Sequence, residues 1–502
     1  MIKYILIFSI LLFSCKGERQ SLDVTCRPSL HLSAERNWMG EPTGLVYYEG
    51  KFHIFYQYNQ NGSYFGDISW GHAVSNDLIH WEQLPIALPI DSTRQVDSGS
   101  VIVDVENSSE FSTTNVPPFI AFYSKKKFFG NEEKVIIYAS FSLDKGVTWE
   151  EYQNPVLELS DDQTLQFPKV KWNKFLNQWL MTVSTGNSLL FYTSQNCKAW
   201  HYHSKFEFPD NFGGWESSDF FSLTDEITQE EKWVLLLSMN NGPTGDSPAT
   251  RYFVGDFDAS GFRPTQPDYL WTDYGRDHYA AMTFNNTQDD RTILLAWMNC
   301  WNYANLLPTT TWKGSLSIPR EVHLGFDNNR VYLLVSSPVK ELNDVWKKEE
   351  SVIKDIEFSD EYHWINNKKL NLPCELNLSF NVAGKTLLFA PAKYGLRFKK
   401  QSGNFLELGY DGQDQYFYID PSGLREGEFV DKFEELVGAS YRLKNDTVNW
   451  KILLDKNSIE FFGAGGKAVL SSLQFSSDPF VDVELFSKAG KTRLIDASIR
   501  SY

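Results

Sequence analysis

Residues 37–61, NWMGEPTGLVYYEGKFHIFYQYNQN, decide the fold. The stretch opens on Trp38, a Gly40-Glu41-Pro42 turn and a second glycine, Gly44. Two strand-like runs follow, Leu45–Tyr48 and Phe52–Tyr58, joined at Glu49-Gly50. A short glycine turn between two β-branched and aromatic runs is a hairpin signal. The spacing places Glu41 on a tight turn just ahead of an innermost strand, where a carboxylate can face a pocket.

Short strands of this kind recur along the chain, and no long amphipathic helix interrupts them. A looser unit repeats as well. Ser75–Trp81, Ser142–Trp149 and Ser194–Trp200 each run from a serine through a polar turn to a tryptophan. Hairpin units repeated every 40–70 residues or so predict propeller blades. Around residues 336–355 charged residues crowd in, as in Lys347-Lys348-Glu349-Glu350, and the repeat stops. Strand-like runs resume at once and predict a β-sandwich. The chain therefore divides into a propeller over 30–335, a linker over 336–355 and a sandwich over 356–502, all-β throughout.

The 502 residues carry a formal net charge of −17 and no basic stripe, which excludes nucleic acid as a partner. Aromatics reach 15%, with 16 tryptophans, and flat rings suit sugar faces as well as β-cores. Residues 1–15 resemble a lipoprotein signal peptide: Lys3, a short apolar run, then Leu12-Phe13-Ser14-Cys15. Cys15 is the expected lipidation site and residues 16–29 a polar tether. This predicts a bacterial lipoprotein on the periplasmic or cell-surface side, touching membrane through its lipid anchor only. The wide spacing of Cys26, Cys197, Cys300 and Cys374 excludes a zinc knuckle, and the nine histidines show no metal pattern.

Glycosidic bonds are cleaved by two carboxyl groups that flank the linkage. Glu41 is one candidate. Glu216 is the other, following a Gly213-Gly214 turn and Trp215. The motifs around them resemble glycoside hydrolase family 32, the levanases, inulinases and invertases. The resemblance runs from about Leu30 to the C-terminus. It includes Trp70-Gly71-His72-Ala73-Val74-Ser75, Ser98-Gly99-Ser100, Gly214-Trp215-Glu216, Asp273-Tyr274-Gly275-Arg276-Asp277 with Tyr279-Ala280, Trp297-Met298-Asn299 and Pro319-Arg320-Glu321. It implies a five-bladed β-propeller followed by a β-sandwich, and a retaining mechanism without metal or organic cofactor. It also implies an oligo- or polysaccharide substrate with β-fructosidic linkages, Glu41 as nucleophile and Glu216 as general acid. Trp38, Gln57, Phe65, Asp97, Ser98, Gln166, Phe167, Asp219 and Asp277 are the expected substrate-binding positions.

The chain departs from the family at this site. The family's Trp-Met-Asn-Asp-Pro-Asn-Gly is Trp38-Met39-Gly40-Glu41-Pro42-Thr43-Gly44 here. Its Arg-Asp-Pro, whose Asp holds fructose hydroxyls, is Gln166-Phe167-Pro168. A pocket tryptophan is Phe65, Phe-Ser-Gly-Ser is Asp97-Ser98-Gly99-Ser100, and Glu-Cys-Pro-Asp is Glu216-Ser217-Ser218-Asp219. Such concerted change reads two ways. The pocket fits a different sugar or linkage, or the chain is a catalytically inactive glycan-binding lipoprotein on the same scaffold.

Overall fold

A computed structural model describes residues 22–90, 96–129, 132–158, 164–209, 213–225, 227–266, 270–381, 392–424, 435–443 and 447–502. The leader, Cys15 and the first residues of the expected tether lie outside the described residues, as does the side chain of Asp97.

Among the described residues the N-terminal part forms five antiparallel sheets. The first holds β1 (Asn37–Tyr48), β2 (Lys51–Asn59), β3 (Ile68–Ser75) and β4 (Glu82–Leu88). The second holds β5 (Val96–Val103), β6 (Phe119–Phe129), β7 (Glu132–Ser142) and β8 (Glu150–Glu151). The third holds β9 (Gln166–Asn173), β10 (Gln178–Ser184), β11 (Leu189–Ser194) and β12 (His201–Phe206). The fourth holds β13 (Trp215–Thr224), β14 (Glu231–Met239), β15 (Ala249–Asp258), β16 (Gly261–Pro264) and β17 (Leu270–Trp271). The fifth holds β18 (Tyr279–Thr283), β19 (Ile293–Trp297), β21 (Arg320–Phe326) and β22 (Tyr332–Pro338), while β20 (Trp312–Lys313) crosses over to pair with β1. The first strands touch in the cyclic order β1, β5, β9, β13, β18 and back to β1, so the sheets are the blades of a closed five-bladed propeller.

The local chemistry explains the blades. The β1–β2 turn has positive φ at both Glu49 (46°) and Gly50 (81°), the two-residue geometry whose twist matches the flanking strands. The Ser-to-Trp repeat is the link between the third and fourth strands of blades one to three. In each copy a side-chain oxygen caps the turn: Asp77 accepts from the amides of Ile79 and His80, Asp144 from Val147 and Thr148, Asn196 from Lys198 and Ala199. The tryptophan indole then closes each turn onto a carbonyl, Leu78 O, Gly146 O or Cys197 O, at 3.0–3.2 Å. The repeat is a folding device that closes the outer edge of each of these blades.

The sandwich comprises β23 (Lys348–Ile365), β24 (Cys374–Asn381), β25 (Lys393–Lys400), β26 (Phe405–Asp411), β27 (Tyr416–Asp420), β28 (Val437–Ser440), β29 (Thr447–Leu454), β30 (Ser458–Gly463), β31 (Ala468–Leu473) and β32 (Phe480–Ser501). The first half of β32 pairs with β25 and its second half with β24, so one ladder serves both layers around a shared core. The two domains meet without a free linker. Val339, Leu342 and Val345 of the connection are buried with Leu453, Phe462 and Val469 of the sandwich. Residues 348–355, expected in the connection, already belong to β23.

The expected tether also shortens. From residue 22 the chain is docked: Asp23 accepts from the Thr310 amide at 2.6 Å, and Ser29 and Leu30 donate to Asp455 of the sandwich. Cys26, Cys197, Cys300 and Cys374 are separate buried thiols.

Candidate active site

Each inner strand is bulged near its start. The register against the second strand of its blade shifts at Met39–Gly44, Val96–Gly99, Gln166–Lys169, Trp215–Ser218 and Tyr279–Met282. A bulge bends a strand and re-aims a side chain, and such features collect beside active sites. Glu41, Ser98, Phe167 and Glu216 all lie within these shifts. Glu41 is thus inside β1, not on a turn ahead of it; the Pro42 kink that reads as a turn in sequence is accommodated as the bulge.

Glu41 is buried, 3% exposed. Its Oε1 accepts from the Trp301 indole at 3.1 Å. Its amide donates to Gln57 Oε1 at 3.4 Å, and Gln57 Nε2 donates to Ser98 Oγ at 2.7 Å. Gln57 and Ser98 therefore brace the strand that presents Glu41, and tie blade one to blade two. Gly40 makes this bracing possible, because a Cβ there would lie 2.6 Å from Gln57 Oε1.

Glu216 is half-buried, and its Oε2 accepts a hydrogen bond from the Tyr279 hydroxyl. Burial drives the Tyr279 pKa far above its ordinary value of 10, and the negative charges of Glu216 and Glu41 push it further. The phenol stays protonated and keeps donating. One buried tyrosine of β18 thus bonds Glu216 of β13 and also lies in the field of Glu41 of β1. Arg276 binds Asp246, Ser247 and Glu435.

The aromatic wall is built by Trp301 and Phe65, whose rings meet edge to face at 4.9 Å. Phe65 is 46% exposed. Trp38, expected to touch sugar, has no exposed surface and packs behind them against Trp297 and Trp301. Trp301 and Tyr279 are the residues that sequence reasoning missed. The available signal was the pair Trp297 and Trp301, four residues apart around Asn299-Cys300.

Two further expectations are corrected. Asp219 is fully buried with both oxygens committed to Lys169, Lys171, Thr283 and the Phe220 amide. Burial raises its pKa, but the two lysines pull it below the usual carboxylate range. Asp277 accepts from Tyr303 at 2.6 Å and from the Leu473 amide of the sandwich at 2.8 Å, so it fastens the domains together. Burial pushes its pKa up to about 6. Both side chains are buried, and each of their oxygens already has a hydrogen-bond partner within the protein. Gln166 and Phe167 are half-buried at the start of β9, and Phe167 holds φ of +56° with its amide on Ser124 Oγ at 3.2 Å. Among the described residues no group of His, Cys, Asp or Glu could hold a metal ion.

Comparison with known proteins agrees with this architecture. Residues 31–338 match the glycosyl hydrolases family 32 N-terminal domain, and residues 343–501 match the family 32 C-terminal domain. A levanase of Bacillus subtilis (strain 168) is 34% identical over 512 residues, covering 99% of this chain and 74% of that protein. An extracellular exo-inulinase of Aspergillus niger is 31% identical over 522 residues, covering 95% of each. Among solved structures, exo-inulinase from Aspergillus awamori superposes with a TM-score of 0.86 at 28% identity, covering 95% of this chain and 98% of that one. Fructofuranosidase from Schwanniomyces occidentalis complexed with fructose gives 0.82 at 27% identity, covering 95% and 98%. The chain belongs to glycoside hydrolase family 32 and is a glycosidase that hydrolyses O-glycosyl compounds.

Proposed function

We propose that the protein hydrolyses β-fructosidic linkages in fructans or related oligosaccharides through a two-carboxylate retaining mechanism. Glu216 protonates the glycosidic oxygen while Glu41 attacks the anomeric carbon. The C–O bond to the leaving sugar breaks and an ester to Glu41 forms. Water then attacks that carbon, gives its proton to Glu216 and releases Glu41 as a carboxylate. Tyr279 holds Glu216 in place, and Trp301 with the Gln57–Ser98 brace holds Glu41. The observation that carries this reading is the placing of two acidic side chains at the bulged starts of inner strands, Glu41 on the Trp301 indole and Glu216 on the Tyr279 hydroxyl.

Glu216→Gln is expected to lower kcat on levan, inulin and sucrose by about 10²–10⁴-fold, the usual contribution of a general acid. An unchanged rate would remove Glu216 from the mechanism. Phe167 favours the second reading, a glycan-binding protein without turnover, because it replaces the family's charged acceptor with an apolar ring. Calorimetric binding of these glycans with no sugar released across the panel would establish that reading.

A lipid anchor at Cys15 is part of the same proposal, supported by the Leu12–Cys15 motif. Cys15→Ala should move the protein from the membrane fraction to the soluble one. Retention in the membrane would contradict the anchor.

A further inference from the structure

β31 (Ala468–Leu473) ends the strand order of the sandwich, and its two faces serve different domains. Side chains alternate across a strand. Ala468 and Leu470 are buried in the sandwich core. Val469 and Leu473 are buried instead with propeller residues, and Ser471 Oγ donates to Asp273 of the propeller at 2.7 Å. The backbone edge on that side is used as well. The Tyr274 amide donates to Val469 O, the Ser471 amide to Asp273 Oδ1 and the Leu473 amide to Asp277 Oδ2, each at 2.8 Å. Gly275 permits this approach, because a Cβ there would lie 2.0 Å from Ser471 O. Residues 273–277 therefore run along β31 much as a further strand would.

What rests on this bed is the support of both acidic side chains. Residues 273–277 lead directly into Tyr279, whose hydroxyl donates to Glu216. The side chain of Leu473 faces the segment that carries Trp301. Met298, Cys300, Tyr303 and Leu307 form one buried cluster with Leu473, and Phe475 packs against it. Asp277 joins the two paths, since it accepts from both the Tyr303 hydroxyl and the Leu473 amide. Asn302 donates to Asp246 O at 2.9 Å, and Arg276 binds Asp246 together with Glu435 of the sandwich. Trp301 is thus pinned by its neighbours on either side, and its indole reaches Glu41 at 3.1 Å. Leu473, 3% exposed, is the residue common to both paths.

We propose that Leu473 of the sandwich is a positioning residue for catalysis: by bedding residues 273–277 and the Trp301 segment, it sets the places of Glu216 and Glu41. The inference rests on the two-carboxylate reading above. Close-packed interiors transmit small displacements, and a cavity left under a segment relaxes only in part. A displacement of about 1 Å at a reacting group can cost about 10²-fold in rate, even when it starts far from the chemistry.

The test compares two leucines of one strand in the full chain. Leu473→Ala empties space beneath the Trp301 segment, and Leu470→Ala empties the same side-chain volume in the sandwich core. Both should lower the thermal midpoint, so rates are measured well below either midpoint. On whichever of levan, inulin and sucrose is turned over fastest, Leu473→Ala is expected to lower kcat by about 10–10²-fold. KM should stay within error, so that kcat/KM falls in parallel. The acid limb of its kcat/KM profile should move to higher pH, because a Glu41 carboxylate that loses the Trp301 donor is harder to ionise. Leu470→Ala should keep the native kcat, and Leu473→Met, close in volume, should recover most of the loss. If Leu473→Ala yields no folded protein, Leu473→Val carries the same comparison with a smaller fall in kcat. A native kcat in the folded Leu473 variant overturns the proposal. So does an equal fall in Leu470→Ala, which would mark a general effect of a loosened sandwich. If the native chain releases no sugar from any of the three substrates, the two-carboxylate reading fails and this inference with it. If it hydrolyses them and Leu473→Ala matches it, only this inference fails.

Discussion

Glu41 carries one methylene more than the aspartate the family places at this position, and the surroundings are fitted to the longer side chain. Trp301 meets its carboxylate, and Gly40 leaves room for Gln57 to hold its amide. Glu41→Asp should therefore lower kcat about 10²-fold, the effect of displacing a reacting group by roughly 1 Å. Steady-state rates on the best fructan substrate check this, and a faster enzyme would show that the brace does not matter. Phe167 poses the opposite case. It holds the left-handed φ of +56°, a conformation several-fold enriched in Asp and Asn and unfavourable for a bulky residue. The backbone there already suits the family's aspartate. Phe167→Asp should leave the thermal midpoint unchanged or raised and increase kcat/KM on terminal fructosides. A fall in both would mean that the ring is needed where it stands.

At the scale of elements, the site depends on bulges and the blades depend on turns. Deleting one turn acceptor tests the second dependence without touching the first. Asp144 caps the β7–β8 link with bonds to the amides of Val147 and Thr148 and to the Thr148 hydroxyl. Asp144→Ala should cost about 1 kcal/mol, the net value of a modest set of partly exposed hydrogen bonds. Gly146→Ala in the same turn should cost more. Gly146 has φ of +86°, and a Cβ there would stand 2.7 Å from the Phe55 ring. Denaturant midpoints with unchanged slope measure both. Equal effects would show that the turn yields easily. Much of this level was legible in sequence, because hairpins and caps are written in neighbouring residues. The bulges were not, since a register shift exists only relative to the facing strand.

At the scale of the molecule, the two domains are locked by a buried charge network. Arg320 pairs with Asp273 and Glu460, and His31 bridges Asp455 and Glu460. Burial alone would lower the His31 pKa, but the hydrogen bonds and charges of the two carboxylates raise it from 6.5 to about 9. Its contribution is therefore complete below pH 6.5 and lost as pH rises through about 9. Burial raises the Glu460 pKa, but Arg320 and His31 lower it from 4.5 to about 2. That contribution is complete above pH 4.5 and lost as pH falls towards 2. Thermal midpoints measured against pH should show both edges, and His31→Phe should flatten the alkaline one. Arg320→Met leaves two buried carboxylates short of a cation and should cost about 3–5 kcal/mol. A single shared unfolding transition is expected, because Val339, Leu342 and Val345 share one core with the sandwich.

The sequence by itself determined the strands, the blade repeat and the two-domain order, and it singled out the two acidic residues proposed for catalysis, because these follow from local spacing and recognisable motifs. Tertiary structure decided which residues serve the site. Asp219 and Asp277 read as sugar ligands until their partners came from other blades and from the sandwich. Trp38 read as a pocket residue until Trp301, 263 positions later, lay over it. Tyr279 acquired its role only when β18 closed the ring between the strands bearing Glu41 and Glu216. A side chain's type is fixed by the chain, but its hydrogen-bond partners and its exposure are properties of the closed propeller.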